Sequence, residues 1–331
     1  MALPLSVLDL VPVSSGGSSA ESVRRTVDLA RLAERLGFVR YWFAEHHGMP
    51  SVASSAPEVL IAHIAAHTQT LRVGSGGVML PNHAPLRVAE AFRTLAALYP
   101  GRIDLGLGRA PGSDANASRV LRAVDGEHFP DLLSELLVWS GRRDLPPDHP
   151  MRALRAMPDD APLPPIWLLG SSGASARMAG SAGMGYSFAS HFSSAPAAPA
   201  FEAYRRAFVP SSEFPEPHAI LGVSVVCAPT AEEAEYLASG MALAWVRLRS
   251  GVFAPLPSPE EASRHVYSEG ERRLVADFRR LVIVGAPDPV RQQLLAKASE
   301  CEASELMIVC NVHSHAARLR SYELVAQALA N

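Results

Sequence analysis

Short runs of Val, Ile, Leu and aromatic residues alternate along this 331-residue chain with longer segments of helical period. The runs are LSVLDLV (5–11), VRYWFAE (39–45), LRVGSGGVML (71–80), RIDLGLG (102–108), PIWLLG (165–170), GYSFAS (185–190), AILGVSVVCA (219–228) and ELMIVCN (305–311). Strands that alternate with helices pair in parallel, because each helix carries the chain back to the start of the next strand. Eight such units are the number that closes a (β/α)8 TIM barrel. An open doubly wound sheet is the competing arrangement of the same units. The first helix, read over 19–37, begins at a serine cap and stops at Gly37, with Val23, Val27, Ala30 and Leu36 as its apolar stripe. Further helices fit 57–67, 85–99, 117–139, 173–182, 196–208, 231–250, 287–300 and 314–330.

Residues 1–331 read as a single α/β domain, and 48% hydrophobic content supplies a large core. Two stretches break the rhythm. Residues 141–165 hold too many prolines for a long helix and read as an irregular connector. Residues 251–285 read as an insertion before the last βα unit, with a proline-rich turn, a charged helix and the brief strand RLVIVG.

Thirty basic residues face 33 acidic ones, and no window concentrates either sign, which argues against nucleic acid as a partner. Lys297, the only lysine, lies in LLAKASE, so no Gly-Lys-Ser/Thr phosphate loop exists. Cys227, Cys301 and Cys310 lack CxxC spacing and read as reduced thiols of a cytoplasmic protein. The first residues, MALPLSVLDLVPV, lack a basic leader and carry Asp9, so they read as a buried strand rather than a signal or a membrane span.

In a barrel of this kind chemistry gathers at the C-terminal ends of the strands. The second strand ends in Glu45-His46-His47, the third in GSGGVMLPNHAP, the fourth in GLGRAPGSD, the fifth in GSSGAS and the sixth in SFASHF. Gly74, Gly76 and Gly77 let backbone approach a ligand closely. Arg109 beside Ser171, Ser172 and Ser175 at a helix start is equipment for a phosphate, although the serines would equally serve as helix caps. A phosphate site beside a glycine-lined strand suggests a planar, phosphate-bearing cofactor.

Competing motifs are weak. GLGRAPG is one residue too long for GxGxxG, and GxSxG is absent. HIAAH, with His63 and His67, lacks the glutamate of HExxH. Glu45, His46 and His47 would not all face one ion from a strand, because neighbours alternate between faces. The candidates they leave are a histidine acting as acid, base or oxyanion stabiliser, or one that merely bonds a neighbouring loop.

Taken together, LAERLGFVRYWFAEHHGMP, RVGSGGVMLPNHAPLRVAEAF, LYPGRIDLGLGRAPGSD and WLLGSSGASARMAG resemble the bacterial-luciferase-like family of flavin-dependent monooxygenases, in the family's order. LVIVGAPDPVRQQL and ASELMIV are similar to its closing section. The resemblance implies a TIM barrel that binds FMN at its C-terminal face, reduced by a separate reductase consuming NADH or NADPH. It places the FMN phosphate on Arg109, Ser171, Ser172 and Ser175, and a non-proline cis peptide at Gly76-Gly77 under the flavin. It makes His46 the catalytic histidine, with Glu45 beside it, steering O₂ chemistry through a flavin C4a-hydroperoxide toward a small organic substrate. It further implies a homodimer. Gly108 and Ser171 replace a reactive cysteine and a glutamate of the light-emitting members, so neither luminescence nor an aldehyde substrate follows. A deazaflavin-dependent oxidoreductase, a flavin-holding barrel without turnover and a barrel metallohydrolase are the alternatives.

Overall fold

The computed structural model describes residues 3–110 and 112–330. Ten strands share one sheet: β1 (Leu5–Asp9), β2 (Arg40–Phe43), β3 (Arg72–Ser75), β4 (Val78–Met79), β5 (Ile103–Gly108), β6 (Ile166–Gly170), β7 (Gly185–Ala189), β8 (Ala219–Cys227), β9 (Val282–Gly285) and β10 (Glu305–Val309). In parallel pairing, β1, β2, β3, β5, β6, β7 and β8 follow one another, and β10 bonds both β8 and β1. The ring is therefore closed, and the chain is a (β/α)8 barrel rather than an open sheet.

Three segments depart from the expected pattern for local reasons. The run over 71–80 splits into β3 and β4 at Gly76-Gly77, whose peptide bond is cis. The segment read as one helix over 117–139 forms Ala115–Leu121, a 3₁₀ turn at Gly126–His128, and Phe129–Trp139. Arg122 is left-handed (φ 58°) and ends the first piece. Pro130, with no N–H to donate, fits only the first turn of the last.

The third departure concerns the insertion. Ser224 of β8 is paired with both β10 and β9, and Val225–Cys227 run past β10 and pair with β9 alone. Between β8 and β9 lie the helices Ala231–Arg249, Pro259–Arg264 and Glu269–Leu281, and Pro287–Cys301 is the helix that leads into β10. The helix read as the seventh barrel helix thus opens the excursion. Leu256 N donates to Val13 O and Ser15 N donates to Leu256 O, both at 2.8 Å, fastening the excursion to the loop after β1 at the C-terminal face.

Alternation along the strands divides the side chains between two cores. Val7, Tyr41, Phe43, Val73, Leu105, Leu168 and Ile308 face the helices in the larger cluster, whereas Leu8, Trp42, Trp167, Ile220 and Met307 form the smaller one inside the barrel. The first helix packs Leu29, Ala30, Leu32 and Ala33 inward, with Val23, Val27 and Leu36 only flanking them.

Inside the ring, the N-terminal end is polar. Arg40 donates to Asp104 (2.8 Å) and Glu305 (3.0 Å), and Arg72 adds a second cation to Asp104. Ser6 also donates to Glu305, and His218 lies 3.0 Å from the same carboxylate. The middle is filled by the edge-on indoles of Trp42 and Trp167, 5.4 Å between ring centroids. Glycines make way for them: a Cβ on Gly74 would lie 2.8 Å from Trp42 Nε1, and one on Gly185 would overlap the Trp167 ring. The C-terminal end, on the same inward parity, presents Ala44, Gly76, Gly108, Ala189 and Gly222. The barrel is therefore packed at its base and middle and shallowly lined at its mouth.

Candidate active site

Strand β2 stops at Phe43, and the chain leaves it through Ala44-Glu45-His46. Ser54 fixes this exit, donating its hydroxyl to Ala44 O and accepting His46 N–H at its own carbonyl, 2.9 Å away. Glu45 is fully buried. Its Oε1 accepts from His47 Nε2 (2.8 Å), His83 Nε2 (2.9 Å) and Asn82 Nδ2 (3.1 Å), and its Oε2 from Met79 N (2.9 Å). Burial alone would raise the Glu45 pKa. The hydrogen bond and charge of His83, with the bonds from His47 and Met79, outweigh it and hold the carboxyl below its ordinary range. So saturated a carboxylate holds its surroundings in place and has little capacity left to take up a proton.

His46 differs in each respect. It is half-buried, and its Nδ1 lies 2.9 Å from Gly112 O. A carbonyl only accepts, so Nδ1 carries the proton and Nε2 keeps a lone pair. Burial lowers the His46 pKa more than the Gly112 bond and the Glu45 charge raise it, so the ring is neutral at pH 7. His191, just after β7, is pressed down to about 4 by burial and then by the charge of His46. Its Nδ1 lies 3.0 Å from where a Cβ on Gly222 would stand, so that glycine makes room for the ring.

The candidate phosphate end lies on the loops after β5 and β6, which are paired neighbours. Arg109 is exposed and bonds no described side chain or backbone group. Ser172 is the N-cap residue of the helix Gly173–Ser181 by position, yet its side chain makes no capping bond. Ser175 Oγ donates to Ser172 O at 3.0 Å, and Ser171 is half-buried beside them. The capping role is thus unfilled, and the first N–H groups of the helix remain for an anion, favoured further by the helix dipole. Arg177, unnoticed in the sequence, folds back so that Nη1 lies 3.4 Å from the Cβ position of Gly173.

Between these two ends the strands come unusually close. A Cβ on Gly77 would lie 2.7 Å from Gly106 O, and one on Gly76 would lie 2.7 Å from Leu8 Cδ1. The thioether of Met79 fills the space left by Gly108 and Gly112, its Sδ 2.6 Å from a Cβ position on Gly108. A flat surface of small residues, with cations and free N–H groups at one edge and a neutral imidazole at the other, fits a planar ring system that carries a phosphate. Metal chemistry finds less support: among the described residues no three His, Cys, Asp or Glu side chains group to hold an ion. His63 is exposed on an outer helix, its ring 4.4 Å from that of His67.

Residues 3–301 match the family model described as luciferase-like monooxygenase. The chain belongs to this family. It is 43% identical over 325 residues to the luciferase-like monooxygenase of Escherichia coli strain K12, covering 97% of this chain and 96% of that one. It is 34% identical to the N-acetyl-S-alkylcysteine monooxygenase of Bacillus subtilis strain 168, covering 98% of each. Among solved structures, apo-MsnO8 superposes with a TM-score of 0.86 at 38% identity, covering 99% of this chain and 98% of that one. Membership makes the protein an oxidoreductase by class. No helix among the described residues is long and apolar enough to cross a membrane.

Sequence reasoning singled out His46, Glu45, Gly76, Gly77, Arg109, Ser171, Ser172 and Ser175 at this face; seven of them lie at strand ends or on the loops that follow, and Ser175 lies in the first turn of the helix Gly173–Ser181. It did not find His83, Met79 or Arg177. The motif PNHAP held a signal for His83, because a histidine at the end of a strand-exit loop is placed to reach the neighbouring strand.

Proposed function

We propose that the protein is an FMN-dependent monooxygenase that uses reduced flavin and O₂ to oxidise a small organic substrate. The observation that carries this reading is the glycine-lined mouth, with Gly76 and Gly77 at its floor, flanked by Arg109 and an uncapped helix start. When bound, reduced FMN supplies the electrons that activate O₂. Arg109, Ser171, Ser172, Ser175 and the N–H groups of Gly173–Ser181 hold the phosphate. Gly76 and Gly77 provide the surface under the ring, and Glu45 fixes that surface to the end of β2. His46 exchanges a proton at Nε2.

The chain carries no dinucleotide fingerprint, which favours a separate NADH- or NADPH-consuming reductase as the source of reduced flavin. Three free, buried cysteines fit a reducing, cytoplasmic setting. A homodimer is the assembly we propose, to be checked by sedimentation velocity. The named bacillar relative makes thioethers of S-alkylcysteine type the first substrates to try.

The test begins with oxidised FMN, titrated by fluorescence quenching. Reduced FMN is then added without oxygen, ¹⁸O₂ is admitted, and the thioether product is weighed. One labelled oxygen atom in the product supports a monooxygenase. Absence of FMN binding in either redox state sinks the reading, and binding without oxygen consumption favours a deazaflavin-type or non-catalytic barrel. Charge-assisted hydrogen bonds contribute about 1.5–3 kcal/mol, so Arg109→Ala is expected to weaken FMN binding roughly 10- to 100-fold. Riboflavin, which lacks the phosphate, should bind variant and parent alike, and equal FMN affinity would remove Arg109 from the phosphate site.

A further inference from the structure

We propose that His83 is a positioning residue of this site: hydrogen-bonded to both oxygens of Glu45, it clamps the Gly76–Met79 turn to the end of β2 and thereby sets the orientation of His46. The path is continuous. His83 Nε2 donates to both oxygens of Glu45, at 2.9 and 3.1 Å. Glu45 Oε2 holds the backbone N–H of Met79 at 2.9 Å. The Met79 side chain packs against Gly112, its Cγ 2.9 Å from a Cβ position there. Gly112 O in turn takes the Nδ1 proton of His46 at 2.9 Å. A change at one end therefore reaches the other through contacts that leave little slack.

Charge makes the clamp conditional. A buried carboxylate is costly unless it is paired. The groups facing Glu45 are His83, His47, Asn82 and Met79 N–H, with His46 nearby; those facing His83 are Glu45 and Glu58, the latter on the helix Pro57–His67. Burial by itself would lower the His83 pKa, but the Glu45 hydrogen bond and the charges of Glu45 and Glu58 raise it above the ordinary histidine value. A raised histidine contributes fully below pH 6.5 and is lost as pH climbs through its folded pKa, whereas the lowered Glu45 fails only in acid. The clamp is consequently intact from mildly acid to neutral pH and loosens on the alkaline side.

The experiment follows histidine ring ¹³Cε1 resonances of the intact protein against pH, together with FMN affinity, for the parent, His83→Gln and Glu58→Gln. His83 is expected to titrate above pH 6.5, His46 to register a second inflection at the same midpoint, and Glu58→Gln to lower that midpoint without disturbing the fold. In the parent, FMN affinity should fall about 3- to 10-fold more between neutral and alkaline pH than in His83→Gln, because only the parent loses the clamp as His83 deprotonates. The FMN arm alone rests on the proposed cofactor. Should FMN fail to bind, that reading fails, while the coupling of His83 to His46 still decides the clamp. A His83 midpoint at or below the ordinary value, a His46 signal indifferent to it, or identical pH profiles for parent and His83→Gln would overturn the proposal. If His83→Gln does not fold, the parent and Glu58→Gln titrations carry the decision.

Discussion

His46→Ala is expected to lower turnover by about 10²- to 10⁴-fold, the usual contribution of a positioned acid or base, while FMN affinity stays within about threefold. The asymmetry follows from geometry. Among the described residues His46 hydrogen-bonds through its backbone N–H to Ser54 O and its Nδ1–H to Gly112 O, and it makes no hydrogen bond to the glycine floor or to the side chains proposed for the phosphate, so its removal spares both. What is lost is a neutral ring with an unshared pair at Nε2. Because burial depresses the His46 pKa below 6.5, the neutral form persists to mildly acid pH. Activity that needs it should stay level through neutrality and fall as pH drops through that depressed pKa. Stopped-flow turnover of parent and variant from pH 5 to 8, read beside FMN titrations, makes the measurement. Full activity in the variant would reject a chemical role for His46, and a rate rising toward acid would make the imidazolium the working form.

Glu305→Ala should destabilise the fold by about 3–5 kcal/mol, the cost of removing one partner from a buried ion-pair network. Arg40, which Glu305 holds at 3.0 Å and which lies over the Trp167 ring, 4.6 Å from its centroid, would keep only Asp104, a carboxylate that Arg72 also claims. At roughly 2–4 °C per kcal/mol for a chain of this size, melting should fall by about 6–20 °C. Asp104 and Glu305 both have pKa values held below the carboxylate range; burial opposes this, and the Arg40 charge prevails. A depressed carboxylate lends stability above its ordinary pKa and loses it as pH falls through the folded value, so the parent should unfold in acid. The variant should melt early at neutral pH and lose less on acidification. A shift below about 1 kcal/mol by thermal or urea unfolding would show that water or a neighbouring carboxylate compensates Arg40.

Much of this architecture was legible in the chain, because alternation is written residue by residue. Arg40-x-Trp42-x-Ala44 and Asp104-x-Gly106-x-Gly108 each run from charged base to small mouth on a single inward face. The break between β3 and β4 was not legible, since Gly-Gly fits a strand as readily as an interruption. Nor was the path of the insertion, because helix Ala231–Arg249 has the pattern of a barrel helix, and only the pairing of β8 with β9 shows where it leads. At the site, Glu45 and His46 were found as neighbours in sequence. Their opposite environments depend on Asn82, His83 and Gly112, brought close from over 30 positions away. Composition and period carry no record of such contacts.

The charged base and the glycine mouth lie at opposite ends of strands that rise about 3.3 Å per residue, hence roughly 13 Å apart over four residues. For laboratory evolution this separation is an allowance. A library that varies Phe192, Val252 or Phe253, exposed on the C-terminal loops and the inserted excursion, would explore new substrates while the Arg40–Asp104–Glu305 foundation goes on supplying the stability that most new substitutions erode.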